Sequence, residues 1–160
     1  MSLESVRAFF AEHAPDIAIL ETDGSSATVT LAAEAFGVEP ARIAKTLSFR
    51  LGDRVVLLVT RGDARLDNKK TKAAFGVKPR MLDLDEVIAV TGHPVGGVCP
   101  FGLPTPLPVY CDISLKAFDE VVPAAGSTRT AVRISPERMA ALTGAQWVDV
   151  CQEPAALAAQ

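Results

Sequence analysis

The stretch that most constrains this 160-residue chain runs from Thr46 to Val59. Leu47, Phe49 and Leu51 alternate with Thr46, Ser48 and Arg50, the period of a strand with one buried face. Gly52-Asp53 makes a tight turn into Val55-Val56-Leu57-Leu58-Val59, an apolar run suited to a central strand covered on both faces. No other hairpin signal in the chain is as clear.

Short helices and strands are expected around it. Ser2 can cap a first helix whose apolar face is Val6, Phe9 and Phe10. A second helix is expected from Leu31 to Phe36, with Thr30 before it and Gly37 after, and Pro40 opens a turn ending near Lys45. Asp67 can cap a helix through Phe75, Asp83 and Glu86 have capping-box spacing, and Ser135-Pro136-Glu137 opens a helix that Gly144 stops. Val109–Cys111, Thr130–Ile134 and Trp147–Val150 read as strands. Strands and helices mingle without the regular alternation of a doubly wound sheet. The expected fold is mixed α/β, with a largely antiparallel, barrel-like sheet surrounded by helices, forming one domain over residues 1–160.

Apolar residues make up 49% and charged residues 22%, which excludes a disordered chain, and no apolar run is long enough to span a membrane. The first residues lack the features of a signal peptide, so the expected location is cytoplasmic. Cys99, Cys111 and Cys151 contain no CxxC pair, and His13 and His93 are the two histidines, so neither a disulfide framework, a metal centre nor another cofactor is expected.

Charge is unevenly placed. Between Arg61 and Arg80 the chain carries Arg61, Arg65, Lys69, Lys70, Lys72, Lys78 and Arg80 against Asp63 and Asp67, a local excess of +5 within a chain of net charge −3. A basic face on an acidic body suits a protein that touches phosphates at one place, and a solvated helix face has the same composition.

Residues 92 to 103 hold four glycines and two prolines. Such a loop can aim consecutive backbone N–H groups at one oxyanion or carbonyl oxygen, or can simply connect two elements. It is neither a phosphate-binding P-loop nor a dinucleotide fingerprint, and no nucleophile elbow occurs in the chain. Cys99 within it has no evident base except His93, which could itself act as a general base or simply face solvent. Lys45, where an apolar turn meets the strand, could hold a phosphate or polarise a carbonyl, or be an ordinary surface lysine.

Together these segments resemble the YbaK/prolyl-tRNA-synthetase-associated editing-domain family. The resemblance is carried by Ala41–Leu47 around Lys45, by Thr60–Asp67, by Gly96-Gly97-Val98-Cys99-Pro100-Phe101-Gly102, and by the segment from Ser135. It implies hydrolysis of the ester joining an amino acid to the terminal adenosine of tRNA. In that reading Lys45 contacts the terminal nucleotide or carbonyl region, and the backbone from Gly96 to Pro100, Gly96 and Gly97 above all, holds the carbonyl. A water attacks, assisted by the tRNA's own ribose hydroxyl, so no protein triad is required. Thr46, Leu47, His93, Val98, Cys99, Pro100 and Ser127 would line the substrate site, and Arg61, Arg65, Lys69, Lys70 and Lys72 would meet tRNA phosphates.

The cysteinyl-tRNA-clearing branch tends to carry a serine and, further on, an acid in the segment matching Ala124–Ala131, where this chain reads Ala-Ala-Gly-Ser-Thr-Arg-Thr-Ala. The resemblance therefore leans to relatives that remove alanine or similarly small residues from tRNA for proline, using a small apolar pocket lined partly by Val98 and Leu47. The resemblance also implies prolyl-tRNA synthetase as a partner. The alternatives are a Cys-tRNA(Pro) deacylase, a non-catalytic tRNA- or synthetase-binding module, and a hydrolase of another small acyl ester.

Overall fold

The computed structural model describes residues 2–152. In chain order the elements are α1 (Ser2–His13), β1 (Leu20–Glu21), α2 (Val29–Phe36), a 3-10 turn (Pro40–Arg42), β2 (Ile43–Leu51), β3 (Arg54–Arg61), α3 (Asn68–Phe75), β4 (Arg80–Met81) and α4 (Leu84–Thr91). There follow β5 (Val109–Asp112), a second 3-10 turn (Ile113–Ala117), β6 (Val122–Pro123), β7 (Thr130–Ala131), α5 (Pro136–Thr143) and β8 (Gln146–Val148).

The hairpin forms in the expected register, with Leu51 opposite Arg54 and Ala44 opposite Arg61. Val56, Leu57, Leu58 and Val59 are fully buried. Leu57 and Val59 face a cluster built on Val6, Phe10 and Phe101, while Val56 and Leu58 face Phe49, Leu51 and Val150. Burying a side chain of this size contributes about 1.5–3 kcal/mol, so this strand anchors both layers.

Local capping signals set most helix ends. Asp67, Asp83 and Ser135 accept hydrogen bonds from the amides of Lys70, Glu86 and Arg138. Glu86 does not complete the expected capping box, because its carboxylate pairs with Arg50 of β2. Helix α2 begins two residues earlier than expected, with Thr28 rather than Thr30 near its start, since the Thr28 hydroxyl takes the Leu31 amide at 3.1 Å. Ser2 is the first residue of α1, and its hydroxyl ties the helix to the Gly126 carbonyl instead of capping it.

The main sheet has the order β4-β2-β3-β5-β8, with β6 also paired to β2. Pairings β2–β3 and β2–β4 are antiparallel, whereas β3–β5, β5–β8 and β2–β6 are parallel. The mixed sheet is therefore as expected, but it stays open instead of closing into a barrel. The strand expected over Thr130–Ile134 shortens to β7, which pairs with β1, and Ile134 only bridges Val121. The last strand ends at Val148, because the Val150 amide turns to the Asp112 carboxylate. Among the described residues no helix is long and apolar enough to cross a membrane.

Candidate active site

β3 occupies one edge of β2 along Ala44–Leu51. The other edge is taken only at its ends, by β6 at Ile43–Ala44 and by β4 at Phe49–Arg50. Between them Lys45, Thr46, Leu47 and Ser48 border a gap, and that gap opens into a cavity of about 280 Å³. The Ser48 carbonyl faces the gap and accepts from Leu82 N at 3.3 Å. Alternate residues of a strand turn their main-chain groups to the same edge, so those of Thr46 also face it.

The cavity is mostly apolar, walled by Val29, Ala32 and Phe36 of α2, by Val87 of α4, and by Val122 and Ala131. Several of its polar side chains are tied to the protein. Ser26 Oγ donates to the Thr128 carbonyl at 2.9 Å, and Thr130 Oγ1 donates to the Ala125 carbonyl at 3.1 Å. Thr46 Oγ1 is buried and has no hydrogen-bond partner among the described residues. A buried hydroxyl left so is costly unless a ligand or water completes it.

Lys45 lies inside β2 rather than at its start, and lines the same cavity. Its Nζ donates to the Ala64 carbonyl at 2.7 Å. Burial lowers the pKa of this ammonium, and the nearby Asp63 carboxylate works against that shift.

The glycine loop reaches the cavity through Val95, Gly96 and Val98. Gly96 has φ +92°, and a Cβ there would stand 2.7 Å from Ala27 Cβ, so close packing on α2's lead-in requires glycine. Gly97 lies behind: its N–H donates to Pro94 O at 2.9 Å, and its carbonyl accepts from Gly126 N at 3.1 Å. The Gly97 amide is thus taken within the protein, while Gly96 and Val98 are loop residues that line the cavity.

Cys99, Pro100 and His93 are buried on the far side of the loop. His93 Nε2 meets the Phe101 carbonyl at 2.8 Å, its Nδ1 has no partner among the described residues, and Cys99 Sγ stands 3.6 Å from Nε2. Burial holds the imidazole below its ordinary pKa and pushes the thiol up to about 12. Neither group lines the cavity. Ser127 also sits behind the wall, where its hydroxyl bonds Thr130 Oγ1 at 2.8 Å.

The basic segment divides. Arg61 is held by Asp63 at 2.6 and 3.0 Å, and Lys70 by Asp149 and the Cys151 carbonyl at 3.0 Å each. Arg65, Lys69 and Lys72 are exposed and form no ion pair with another described residue. Among the described residues no three His, Cys, Asp or Glu side chains gather where they could hold a metal ion.

The family model for the aminoacyl-tRNA editing domain matches residues 23–142, which include every cavity-lining residue named above. The chain belongs to the aminoacyl-tRNA editing domain family. Its reaction class is accordingly hydrolysis of an aminoacyl-tRNA ester. The Bacillus subtilis (strain 168) protein YwhH is 48% identical over 96% of this chain and 99% of its own length. An Enterococcus faecalis (strain ATCC 700802 / V583) protein named "Putative Cys-tRNA(Pro)/Cys-tRNA(Cys) deacylase EbsC" is 32% identical over 74% of this chain and 73% of its own. A crystal structure described as that of "a putative trans-editing enzyme for prolyl tRNA synthetase" superposes with a TM-score of 0.87 at 34% identity, covering 95% of this chain and 98% of the other.

The walls contributed by α2, by Met81 and Leu84, and by Val122 and Thr130 were not among the residues expected from sequence. Each is ordinary in its local context and becomes part of a site only through its pairing or packing beside β2.

Proposed function

We propose that this chain, read as one cytoplasmic editing domain, deacylates mischarged tRNA in trans, with tRNA for proline carrying alanine or a similarly small amino acid as its substrate. The observation that carries this reading is the cavity beside the middle of β2, to whose lining Lys45, Thr46 with its unpartnered hydroxyl, Gly96 and Val98 all contribute. Its apolar walls, Leu47 and Val98 among them, suit a short aliphatic side chain. One methylene more or less changes the transition-state energy in such a pocket by about 1–3 kcal/mol, so wall volume would set selectivity.

The amides of Gly96 and Val98 would hold the ester carbonyl oxygen as it gains charge, and Lys45 would supply positive charge at the carbonyl or terminal nucleotide. Water adds to the carbonyl carbon, the bond to the ribose oxygen breaks, and that oxygen leaves carrying a proton from the water. Among the described residues no histidine or carboxylate lines the cavity, and proton transfer would run through the neighbouring ribose hydroxyl. The exposed cations Arg65, Lys69 and Lys72 would meet RNA phosphates. Prolyl-tRNA synthetase is the partner that would hand over the substrate.

The test is to incubate the protein with tRNA for proline carrying alanine, 2-aminobutyrate, serine, cysteine or proline, and to follow loss of the amino acid. Release of alanine fastest is expected; fastest release of cysteine would move the reading to the substrate in the name of the Enterococcus relative. No release from any of the five would overturn it, and full activity in Lys45→Ala would overturn the mechanism alone.

A further inference from the structure

We propose that Asp112, which lies outside the cavity, is a positioning residue that fixes Lys45 through the C-terminal segment Val150–Gln152. This rests on the reading of Lys45 as a working group of the site.

Asp112 ends β5 and is 1% exposed. Its Oδ1 accepts the Val150 amide at 2.8 Å and its Oδ2 the Ser114 amide at 2.9 Å. Among the described residues no cation pairs with it, so these charge-assisted bonds are what offset the burial of its charge. Cys151, 3% exposed, lies near the same carboxylate, and burial together with that carboxylate pushes its thiol up to about 12.

The segment that Asp112 holds is laced to the loop carrying Lys45's partner. Val150 O accepts from Asp67 N at 2.8 Å, Gln152 N donates to Arg65 O at 2.8 Å, and Cys151 bridges Leu66. Lys70 Nζ adds a bond to the Cys151 carbonyl at 3.0 Å. These bonds fasten the loop on one side, and on the other Ala64, 3% exposed, presents its carbonyl to Lys45 Nζ at 2.7 Å. A lysine has four rotatable side-chain bonds and one ammonium, so its position is only as definite as the acceptor that holds it. The contacts thus run without a break from Asp112 through Val150–Gln152 and Ala64–Asp67 to Lys45. The segment lies beyond residue 142, where the family match ends.

The experiment uses the full chain with two substitutions. Asp112→Asn keeps the shape but turns an NH2 group toward one of the two amides. Gln152→Pro removes a single N–H near the chain end, from a residue outside the core clusters, and keeps the variant set informative if Asp112→Asn does not fold. The first readout is the ammonium signal of Lys45 in protein labelled with 15N-lysine, assigned by its loss in Lys45→Arg. The second is steady-state deacylation of alanyl-tRNA for proline. Both variants are expected to shift the Lys45 signal and speed its proton exchange. kcat should fall about tenfold in Asp112→Asn and about threefold in Gln152→Pro, with KM within twofold of wild type. An unchanged Lys45 signal in the folded variants would overturn the proposal, as would loss confined to KM. Absence of deacylation by the wild-type chain would sink the functional reading instead and leave the spectroscopic arm to decide this one.

Discussion

Gly97 packs its Cα directly against the main chain of Ser127. A Cβ at Gly97 would fall 2.7 Å from Ser127 N and 2.8 Å from its Cα and carbonyl carbon. These are backbone atoms and cannot swing aside. Gly97→Ala must therefore part the loop from the β6–β7 connection and strain the bond between Gly97 O and Gly126 N. Overpacking of this kind costs about 1–3 kcal/mol. A lower melting temperature is expected, together with at least a tenfold fall in kcat/KM, because Gly96 and Val98 move with the loop. Thermal unfolding and deacylation assays on one preparation check this, and wild-type values in both would refute it.

Thr46 offers the opposite combination. Its hydroxyl is buried and unpartnered within the protein, so Thr46→Val removes a polar atom whose burial costs about 1–3 kcal/mol. Stability should hold or rise. If the hydroxyl serves the substrate, kcat/KM for aminoacyl-tRNA should fall about five- to tenfold in the same variant. Denaturant unfolding beside kinetics separates the two effects; a destabilised variant with intact kinetics would show a structural role only.

His93 makes a pH prediction. Burial lowers its pKa below the ordinary 6.5. The unfolded chain therefore binds a proton that the folded chain refuses. The stability associated with neutral His93 is fully present above about pH 6.5 and is lost as the pH falls from there to the lower folded value. The slope in that window stays below about 1.4 kcal/mol per pH unit, the limit for one whole proton. His93→Gln removes the titration and should flatten melting temperature against pH below 6.5, even if it lowers stability at neutral pH. An equal slope in both proteins would assign the acid sensitivity elsewhere.

The hairpin was legible in the sequence because alternation at Leu47, Phe49 and Leu51 and the Gly52-Asp53 turn are local signals. The caps at Asp67, Asp83 and Ser135 were legible for the same reason. The start of α2 was not: Thr28 and Thr30 are both competent caps, and the bonds from Ser26 to Thr128 favour the earlier one. The cavity was legible only in part. Lys45, Thr46, Leu47, Gly96 and Val98 were expected at it and do line it. The gap itself exists because β6, about eighty residues away in sequence, takes one end of an edge of β2 and β4 the other. No local pattern encodes that. Composition also could not tell which side of the glycine loop would face the core. Phe101, packed against Phe9 and Phe10, draws Cys99 and His93 inward and leaves Gly96 and Val98 at the cavity.

The basic segment can be tested through salt. Arg61 and Lys70 are engaged with carboxylates, whereas Lys69 and Lys72 are exposed without ion pairs among the described residues. Cations of the second kind lose nothing inside the protein when they meet a phosphate. Each phosphate contact contributes about 0.7–0.9 to the slope of log K against log salt. Lys69→Ala with Lys72→Ala should therefore make the salt dependence of kcat/KM shallower by about 1.4–1.8 between roughly 50 and 200 mM salt. Turnover at saturating tRNA should stay near wild type, since neither residue lines the cavity. Arg61→Ala should change the slope less, because its guanidinium already pairs with Asp63. An unchanged slope in the double variant would return these lysines to the role of a solvated helix face.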